Sequence, residues 1–402
     1  MPVLMGILHV APTRGKEIFS FVYDMDWLKN KQGNALDPAL MLVHGRQYAP
    51  LGQNNFGLFL DSSPDRWGRV LMRRREAQRA REEGRIEQKL LESDYLLGVY
   101  DAHRMGALRF RADPQGPLLD NNKAYASPPW GSMRELEQAS LELEKTGAEH
   151  KAEYSKWLNM LMIPGASLGG ARPKASIVDD HGHPWIAKFP SAHDDNDIGA
   201  WEMVVYKLAQ KALVDVPLAQ VRQFNNQDHT FLSKRFDRTI TDERIHFASA
   251  MTLLQRVDGD DATEGASYLE LAEFIMQNGA HPTRDLEQLW RRIVFYICVS
   301  NVDDHLRNHG FLLGANGWRL SPAYDINPDP NGHGLKLNIS ESDNAQDLAL
   351  VTDVAPWFRV KPTDASNIIR DVVSAVKTWR SEANELRISA HAQERMAGAF
   401  KV

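Results

Sequence analysis

The chain is 402 residues long, which is more than one small hydrophobic core organises, and it predicts two domains or lobes. With 43% hydrophobic and 25% charged residues, the composition is that of a globular protein rather than a disordered or fibrous one. The formal charge of −6 argues against nucleic-acid binding through a broad basic face, although it leaves room for a local basic patch.

The sequence also bears on the compartment of the protein. Cys298, the single cysteine, lies within an apolar run and is interpreted as a small core residue, so no disulfide forms within the chain. The first residues, MPVLMGILHVAPTR, have no basic region before their apolar ones, unlike a signal peptide. No apolar stretch reaches the roughly 18 residues that a membrane span needs. We therefore expect a cytoplasmic protein.

The first hundred residues predict strands and then a long polar helix. MGILHV and EIFSFVYD read as strands around a turn at residues 12–15. The segment SPDRWGRVLMRRREAQRAREEGRIEQKLLE predicts a helix from about Pro64, with Asp61, Ser62 or Ser63 as its cap. The arginines of residues 73–85 invite a nucleic-acid interpretation, but the glutamates between them favour a solvated face with local ion pairs.

A Pro-, Gly- and Asn-rich stretch, residues 112–132, predicts a linker, and a polar helix follows in SMRELEQASLELEKTGAEHKAEYSKWLNMLM. KASIV and WIAKF then predict two strands around the turn DDHGHP, and WEMVVYKLAQKAL predicts a helix. A hairpin turning near residues 225–228 comes next. From residue 245 the pattern is mostly helical, and it includes the amphipathic segment IIRDVVSAVKTWRSEANEL.

The densest polar chemistry follows the apolar run WRRIVFYICVSN, which predicts a buried helix. Asp303 and Asn308 come directly after it, and Asp325 lies beyond the predicted hairpin GFLL–GAN–WRL. Phosphoryl transfer needs a carboxylate to orient and deprotonate a hydroxyl, and it needs oxygen ligands for Mg²⁺. In protein kinases an Asp, four residues and an Asn, followed by a later Asp, supply these groups. The spacing of Asp303 and Asn308 alone is weak evidence for a kinase, and the hairpin and Asp325 make the pattern more specific.

A glycine block upstream completes this pattern. GASLGGARPK places small residues where backbone N–H groups can approach phosphates, and Lys174 and Lys188 are the cationic candidates. Lys188 lies on the strand WIAKF, which resembles the kinase strand whose lysine holds the α- and β-phosphates, and Glu202 on the next helix is its expected partner. Taken singly, the block also fits an ordinary loop, and Lys188 also fits a strand-edge lysine whose stem is buried.

Two metal-site interpretations compete for the same residues. His305 and His309 are four positions apart, as in a helical metal pair, but HLRNH lacks the glutamate of the zinc-protease motif and Gly310 interrupts the helix. The neighbours Asp304 and His305 would suit a metal phosphohydrolase, for which no further histidine cluster is found. The sequence therefore favours the kinase interpretation.

At this point the chain resembles the HipA-type serine/threonine kinases, which are toxins of bacterial type II toxin–antitoxin modules. The resemblance covers most of the chain and depends on several motifs in order: SPDRWGR with the two residues before it, DYLLGVYDAHRMGALRF, SLGGARPKA, WIAKFP, LSKRFDR, NVDDHLRNHGFLL and LSPAYDINP. It implies an α+β, protein-kinase-like fold with a mixed α/β N-terminal part and a mostly helical C-terminal lobe. The implied parts are an N-terminal subdomain (1–115), a nucleotide-lysine part (133–244) and a catalytic helical lobe (245–402).

The resemblance also implies a role for each matching residue. Asp303 is the expected catalytic base, and Asn308 and Asp325 are the expected Mg²⁺ ligands. The expected nucleotide contacts come from the glycine loop, the lysine strand, the adenine segment and the catalytic loop: Ser167, Gly169, Gly170, Lys174, Lys188, Lys234, Phe236 and His305. Ser167 matches a loop serine that is autophosphorylated in family members, which ejects the loop and inactivates the kinase. The alternative that Ser167 is a simple turn residue stays open.

This chain departs from some relatives in two places. Ser233 and Lys234 stand where some members have an acid in the adenine-facing segment, so the contact there would come from the backbone alone. The loop reads GGARPK rather than the Gln-Glu version of some members, and Pro173 would stiffen it. These differences put the loop-ejection switch and the adenine contact in question.

The expected function is therefore ATP- and Mg²⁺-dependent phosphorylation of a protein hydroxyl, with an aminoacyl-tRNA synthetase as the substrate type. A HipB-like helix-turn-helix antitoxin is the expected partner, and operator DNA would be bound only through it. Two alternatives stay open. One is a pseudokinase-like binding partner, against which the intact set Lys188, Asp303, Asn308 and Asp325 speaks. The other is a kinase for small molecules, against which the N-terminal motifs speak.

Overall fold

The structure, a computed structural model, describes residues 2–29, 35–122, 128–161, 170, 172–224 and 228–402. The chain divides into two compact units. The first unit comprises Met1–Pro184 with Asp237–Val257, and the second comprises Trp185–Phe236 with Asp258–Val402. Within the described ranges, no helix is both long and apolar enough to span a membrane.

The strands found among these residues are β1 (Gly6–Thr13), β2 (Lys16–Tyr23), β3 (Gln47–Tyr48), β4 (Lys174–Val178), β5 (Pro184–Lys188), β6 (Ala219–Arg222), β7 (Thr230–Lys234), β8 (Phe247–Ser249), β9 (Gly310–Gly314) and β10 (Gly317–Leu320). The α-helices are α1 (Met25–Lys29), α2 (Gly57–Leu60), α3 (Arg66–Glu82), α4 (Glu92–Leu97), α5 (Met133–Glu144), α6 (Tyr154–Leu161), α7 (Ile198–Lys211), α8 (Ala250–Leu253), α9 (Tyr268–Asn278), α10 (Pro282–Val299), α11 (Leu348–Asp353), α12 (Pro362–Val376), α13 (Trp379–Glu385) and α14 (Ala390–Met396).

The first unit begins with the predicted hairpin. Strands β1 and β2 pair antiparallel from Gly6–Tyr23 to Thr13–Lys16, and β3 adds to the other edge of β2. Arg14 and Gly15 form the turn with positive φ angles, as a two-residue hairpin requires. Phe19, Phe21 and Tyr23 alternate along β2 and are buried, because alternate side chains of a strand point to the same face. The prediction of two strands around this turn is confirmed.

Helix α3 differs from its prediction at both ends. Its cap is Asp65, whose carboxylate accepts from the backbone N–H of Gly68 at 2.8 Å, and not Asp61, Ser62 or Ser63. Asp61 instead accepts from the backbone N–H and the hydroxyl of Ser249. The helix ends at Glu82 because Gly84 takes a left-handed conformation, with a φ of 63°. The prediction that this helix continues beyond Gly84 is wrong.

Two other segments predicted as single helices are each divided in two. The polar segment gives α5 and α6, since Lys145 is extended and Gly147 has a φ of 77°. The amphipathic segment gives α12 and α13, with Thr378 between them, where its hydroxyl donates to the carbonyl of Ala375 at 2.8 Å. Neither break was predicted, because hydrophobic periodicity does not report the single residues at which a helix ends.

The second unit combines a small sheet with a helical layer. Strand β7 pairs antiparallel with β5 and with β6, and helix α7 packs against β6 and β7. Helix α10 is buried on every side from Leu289 to Val299 and contacts α9, α11 and α12. At the end of the chain Trp379 stacks on Phe400, with ring centroids 4.4 Å apart. The buried helix predicted from WRRIVFYICVSN is confirmed.

Strands β9 and β10 form the second predicted hairpin, which follows α10. They pair from Gly314–Gly317 to Phe311–Leu320, and Ala315 and Asn316 make the turn. The strand prediction for GFLL and WRL is therefore confirmed. This hairpin separates the polar segment at the end of α10 from the segment that holds Asp325.

Candidate active site

Lys188 lies at the end of β5 and is the centre of a buried charge cluster in the second unit. Its Nζ lies 2.5 Å from Oε1 of Glu202 on α7 and 2.7 Å from Oδ1 of Asp325. Burial by itself would lower the pKa of Lys188, but the charges of Asp325 and Glu202 outweigh it and raise the pKa above its ordinary value. Lys188 is therefore a permanently charged ammonium that two carboxylates hold in place.

The polar loop that follows α10 is closed by its own hydrogen bonds. Ser300 ends the helix in the left-handed region, with a φ of 50°. Nδ2 of Asn308 donates to the carbonyl of Asp303 at 3.0 Å, and the backbone N–H of His305 donates to the same oxygen at 3.0 Å. The side chain of Asp303 is exposed, while Asn308 is buried. The predicted base and the predicted metal ligand thus lie at the two joined ends of one short loop.

The segment that carries Asp325 is bound to this loop at several points. The hydroxyl of Tyr324 donates to the carbonyl of Arg307 at 2.6 Å, and the backbone N–H of Asn327 donates to Oδ1 of Asn301 at 3.0 Å. Asp325 has a φ of 57°, a left-handed conformation that Asp and Asn adopt more readily than most residues. These bonds connect the segment of Asp325 to the loop that holds Asp303 and Asn308.

Asn308 has an oxygen that fits a cation. Its Oδ1 is buried and accepts no hydrogen bond from the described protein, because the amide nitrogen takes the bond to Asp303. A buried acceptor without a donor is costly, and a hard cation would satisfy it. Among the residues that the structure describes, no group of three or more His, Cys, Asp or Glu could hold a metal. An amide and a carboxylate, completed by phosphate oxygens and water, are ligands that suit Mg²⁺.

The adenine-side residues of the prediction lie on and after β7. Lys234 ends this strand opposite Trp185 of β5, and its backbone N–H donates to the carbonyl of Leu218. The ring of Phe236 lies 5.5 Å from that of Tyr324, the tyrosine whose hydroxyl donates to the carbonyl of Arg307. His305 is half-buried within the loop. The nucleotide contacts of these residues stay predictions.

The glycine loop belongs to the first unit and is described only in part. Ser167 and Gly169 lie outside the described residues, so their predicted roles stay predictions. Nζ of Lys174 donates to the carbonyl of Gly170 at 2.7 Å and pairs with Oδ2 of Asp65 at 2.9 Å. Both members of the pair are about 1% exposed. The structure thus places Lys174 in a buried ion pair with the residue that caps α3.

Asp304 and His309 have partners that were not predicted from the sequence. Nε2 of His309 lies 2.7 Å from Oδ2 of Asp304, and the hydroxyl of Tyr268 on α9 donates to the same oxygen at 2.6 Å. His309 cannot form a helical metal pair with His305, since the chain turns extended at His309 and enters β9. The sequence held one signal for this pair: Asp304 and His309 are five positions apart, as Asp303 and Asn308 are. Tyr268 is 36 residues from Asp304, and no local pattern identifies it as a partner.

The sequence of the chain is similar to those of known proteins. Residues 166–380 match the family model of the HipA-like C-terminal domain. A Haemophilus influenzae protein named "Putative kinase" is 27% identical over 180 residues, and the match covers 40% of this chain and 52% of the relative. A Sinorhizobium fredii protein named "Putative kinase Y4mE" is 23% identical over 274 residues, and the match covers 59% of this chain and 63% of the relative. The chain thus matches between half and two thirds of the length of these relatives.

The fold is also similar to that of a solved structure, HipA in the Shewanella oneidensis MR-1 complex of HipA, HipB and operator DNA. The TM-score is 0.67 at 16% identity, over 98% of this chain and 94% of that one. At that identity the likeness shows the fold alone. It confirms the predicted mixed α/β fold of the HipA type.

Proposed function

Since the chain belongs to the HipA-like C-terminal domain family, we propose that it is an ATP- and Mg²⁺-dependent serine/threonine kinase that phosphorylates a protein hydroxyl. The observation that carries the proposal is the charge cluster of Lys188, Glu202 and Asp325 beside the loop of Asp303 and Asn308. A lysine paired with a helix glutamate, a base and two oxygen ligands are the parts that phosphoryl transfer requires.

Each side chain has a task in this proposal. The ammonium of Lys188 binds phosphate oxygens of ATP, and Glu202 keeps it in position. Asp303, whose carboxylate is exposed, orients the acceptor hydroxyl and takes its proton as the oxygen bonds to the γ-phosphorus and the bond to ADP breaks. Asn308 and Asp325 would hold Mg²⁺, which neutralises charge on the phosphates when it is bound. The base thus stands apart from the groups that bind the nucleotide.

The proposed partners follow from the family. The similar Shewanella structure contains HipB and operator DNA, which supports a HipB-like helix-turn-helix antitoxin as the neutralising partner of this chain. We propose that DNA is reached only through that antitoxin. The proposed acceptors are a translation component such as an aminoacyl-tRNA synthetase, and Ser167 of the chain itself. A phosphate on Ser167 would repel the phosphates of ATP and so limit the activity.

The experiment is transfer of labelled γ-phosphate. The purified chain is incubated with Mg²⁺ and γ-labelled ATP beside two variants, Asp303→Asn and Asp371→Asn. Asp371 is a carboxylate on the surface of α12 and is the matched control. Label is quantified, and its position is mapped by mass spectrometry. We expect label on the parent and on the control, and a loss of about 10²- to 10⁴-fold in Asp303→Asn.

The outcomes separate the alternatives. Label on Ser167 that needs Asp303 supports an active kinase that limits itself. Label at the parental rate in Asp303→Asn overturns the assignment of the base. A parent that transfers no phosphate to itself or to the proteins of an extract without the antitoxin, while still binding ATP, supports the pseudokinase alternative instead. Label on small acceptors alone would point to a small-molecule kinase.

A further inference from the structure

A buried polar cluster lies directly behind the loop of Asp303 and Asn308. Asp304 and His309 are both fully buried, and Oδ2 of Asp304 binds both the hydroxyl of Tyr268 and Nε2 of His309, at 2.6 and 2.7 Å. The ring of Tyr268 also meets the ring of His309 edge-on, with centroids 5.7 Å apart. A buried carboxylate is costly unless it is well paired, so this cluster is a strong restraint on the position of Asp304.

The cluster is coupled to the candidate site through the backbone. Asp304 follows Asp303, and His309 follows Asn308, so each buried residue is the chain neighbour of one functional residue. The inner pair, Asp304 and His309, is joined by Nε2 of His309 and the Asp304 carboxylate. The outer pair, Asp303 and Asn308, is joined by Nδ2 of Asn308 and the carbonyl of Asp303. Two parallel links therefore close the same loop. The outer link also occupies Nδ2 of Asn308 and leaves its Oδ1 open to a cation.

We infer that Asp304, held by Tyr268 and His309, is a positioning residue that fixes the 303–308 loop and so sets the place of the base and of the amide oxygen. The inference rests on the proposed function for its effect on rate. Tyr268 is the anchor from outside the loop, because it lies at the first turn of α9 and connects the loop to that helix. Without the hydroxyl of Tyr268 the loop keeps its functional side chains, but their positions are no longer fixed.

The protonation of Tyr268 supports the direction of its hydrogen bond. Burial, followed by the nearby charge of Asp304, raises the pKa of Tyr268 far above its ordinary value, so the hydroxyl keeps its proton and donates it. A hydrogen bond from a neutral donor to a buried carboxylate is among the stronger ones in proteins. Its removal leaves part of the charge of Asp304 unmatched in the interior.

The chain offers a matched pair of variants for the test. Tyr268→Phe removes the hydroxyl that binds Asp304. Tyr296→Phe removes the hydroxyl of another fully buried tyrosine, whose ring lies 6.3 Å from that of His309 but whose hydroxyl makes no hydrogen bond among the described residues. The two variants lose the same atom from the same kind of core. For each, we measure kcat and the KM for ATP, and the exchange of the backbone amides of residues 303–309 with deuterium.

We expect Tyr268→Phe to lower kcat by about tenfold or more, because a misplaced base slows transfer. The KM for ATP should change less than kcat, because Lys188, Glu202 and Asp325 lie outside the loop. Amide exchange in the loop should rise at least about tenfold in the same variant. Tyr296→Phe should change neither. An Asp304→Asn variant should follow Tyr268→Phe, since it weakens the link to His309.

Two results would overturn the inference: equal kcat and equal loop exchange in Tyr268→Phe and the parent, or equal losses in Tyr268→Phe and Tyr296→Phe. If the parent itself transfers no phosphate, the proposed function fails while the exchange data still decide whether the cluster holds the loop. Loop exchange that rises in Tyr268→Phe alone would then keep the structural part of the inference, and unchanged exchange would end it.

Discussion

Two buried lysines of similar appearance in the sequence have different surroundings. Lys174 pairs with the carboxylate of Asp65, and the charges of these two groups cancel. Lys188 pairs with two carboxylates, Glu202 and Asp325, and these three groups together carry a formal charge of −1. The second carboxylate is the difference between the two surroundings, and it belongs to Asp325, the residue that is proposed to hold a cation.

The surroundings of Lys174 give a stability prediction for the first unit. Lys174→Met should lower the free energy of unfolding by about 3 kcal/mol, because it removes the cation that pairs with the buried carboxylate of Asp65. The double variant Asp65→Asn with Lys174→Met should recover part of the loss, since it removes the stranded charge. Denaturant titration of the parent, the single variant and the double variant measures this. A single variant as stable as the parent would show that the ion pair is not the determinant.

For single residues, the sequence was sufficient to single out a candidate set and insufficient to identify the residues that support it. Asp303, Asn308 and Asp325 could be predicted as neighbours because a fixed spacing and a hairpin connect them. The partner of Lys174 could not be predicted, since Asp65 is 109 positions away. Nothing in the local pattern distinguishes a cation for phosphate from a cation for a buried carboxylate. That difference depends on which distant segments the fold brings together.

At the scale of elements, helix starts matter because they position functional side chains. Helix α9 begins with a reciprocal cap, in which the hydroxyl of Ser267 accepts from the backbone N–H of Glu270 and the carboxylate of Glu270 accepts from that of Ser267. Tyr268 is the next residue and binds Asp304. The capping signal therefore also fixes the position of the residue that holds the 303–308 loop.

Removal of this cap should have a small and specific effect. Ser267→Ala should cost about 1 kcal/mol of unfolding free energy in the second unit, because one backbone N–H at the helix start loses its acceptor. Ser366→Ala on the exposed face of α12 is the control, since the Ser366 hydroxyl donates back to the carbonyl of Pro362 within the helix and caps no backbone N–H at the start of α12. Chemical denaturation compares the two. A cost as large for Ser366→Ala as for Ser267→Ala would contradict the role of the cap.

Element types were more predictable than element ends. The strands of both hairpins and the buried helix α10 follow from alternation and from apolar content, which local physics determines. The ends of α3, α5 and α12 depended on single residues with unusual backbone angles or capping bonds, such as Gly84, Gly147 and Thr378. Hydrophobic period is insensitive to such residues, so the predicted helices were too long.

At the scale of the whole molecule, each unit is assembled from separate stretches of the chain. The stretch Asp237–Val257 returns to the first unit, where the carboxylate of Asp237 accepts from the backbone N–H of Gly106 and Arg244 pairs with Asp101. The parts predicted from the sequence are consecutive ranges, 1–115, 133–244 and 245–402, and these bounds stay predictions. Neither the composition nor the hydrophobic periodicity of the sequence indicates that this stretch belongs to the first unit, because its place depends on contacts between residues more than 100 positions apart.

The returning stretch contains a buried histidine that predicts acid sensitivity. Burial lowers the pKa of His246 from 6.5 to about 4. The unfolded chain binds this proton first, so the contribution of His246 is complete above about pH 6.5 and is lost as the pH falls toward 4, by roughly 3 kcal/mol. Denaturant titration at pH 7 and pH 4.5 should show this decline, and a His246→Gln variant should decline less. Equal declines would contradict it.

The measurement that tests the central claim most directly is calorimetric binding of ATP, with Mg²⁺ and with a chelator. It requires no knowledge of the acceptor. We predict that the parent binds ATP at least about tenfold more tightly with Mg²⁺, and that Asp325→Asn, which keeps a residue suited to the left-handed backbone, loses that gain. Asp303→Asn should keep it. An ATP affinity that is the same with and without Mg²⁺ in the parent, or unchanged in Asp325→Asn, would contradict the account.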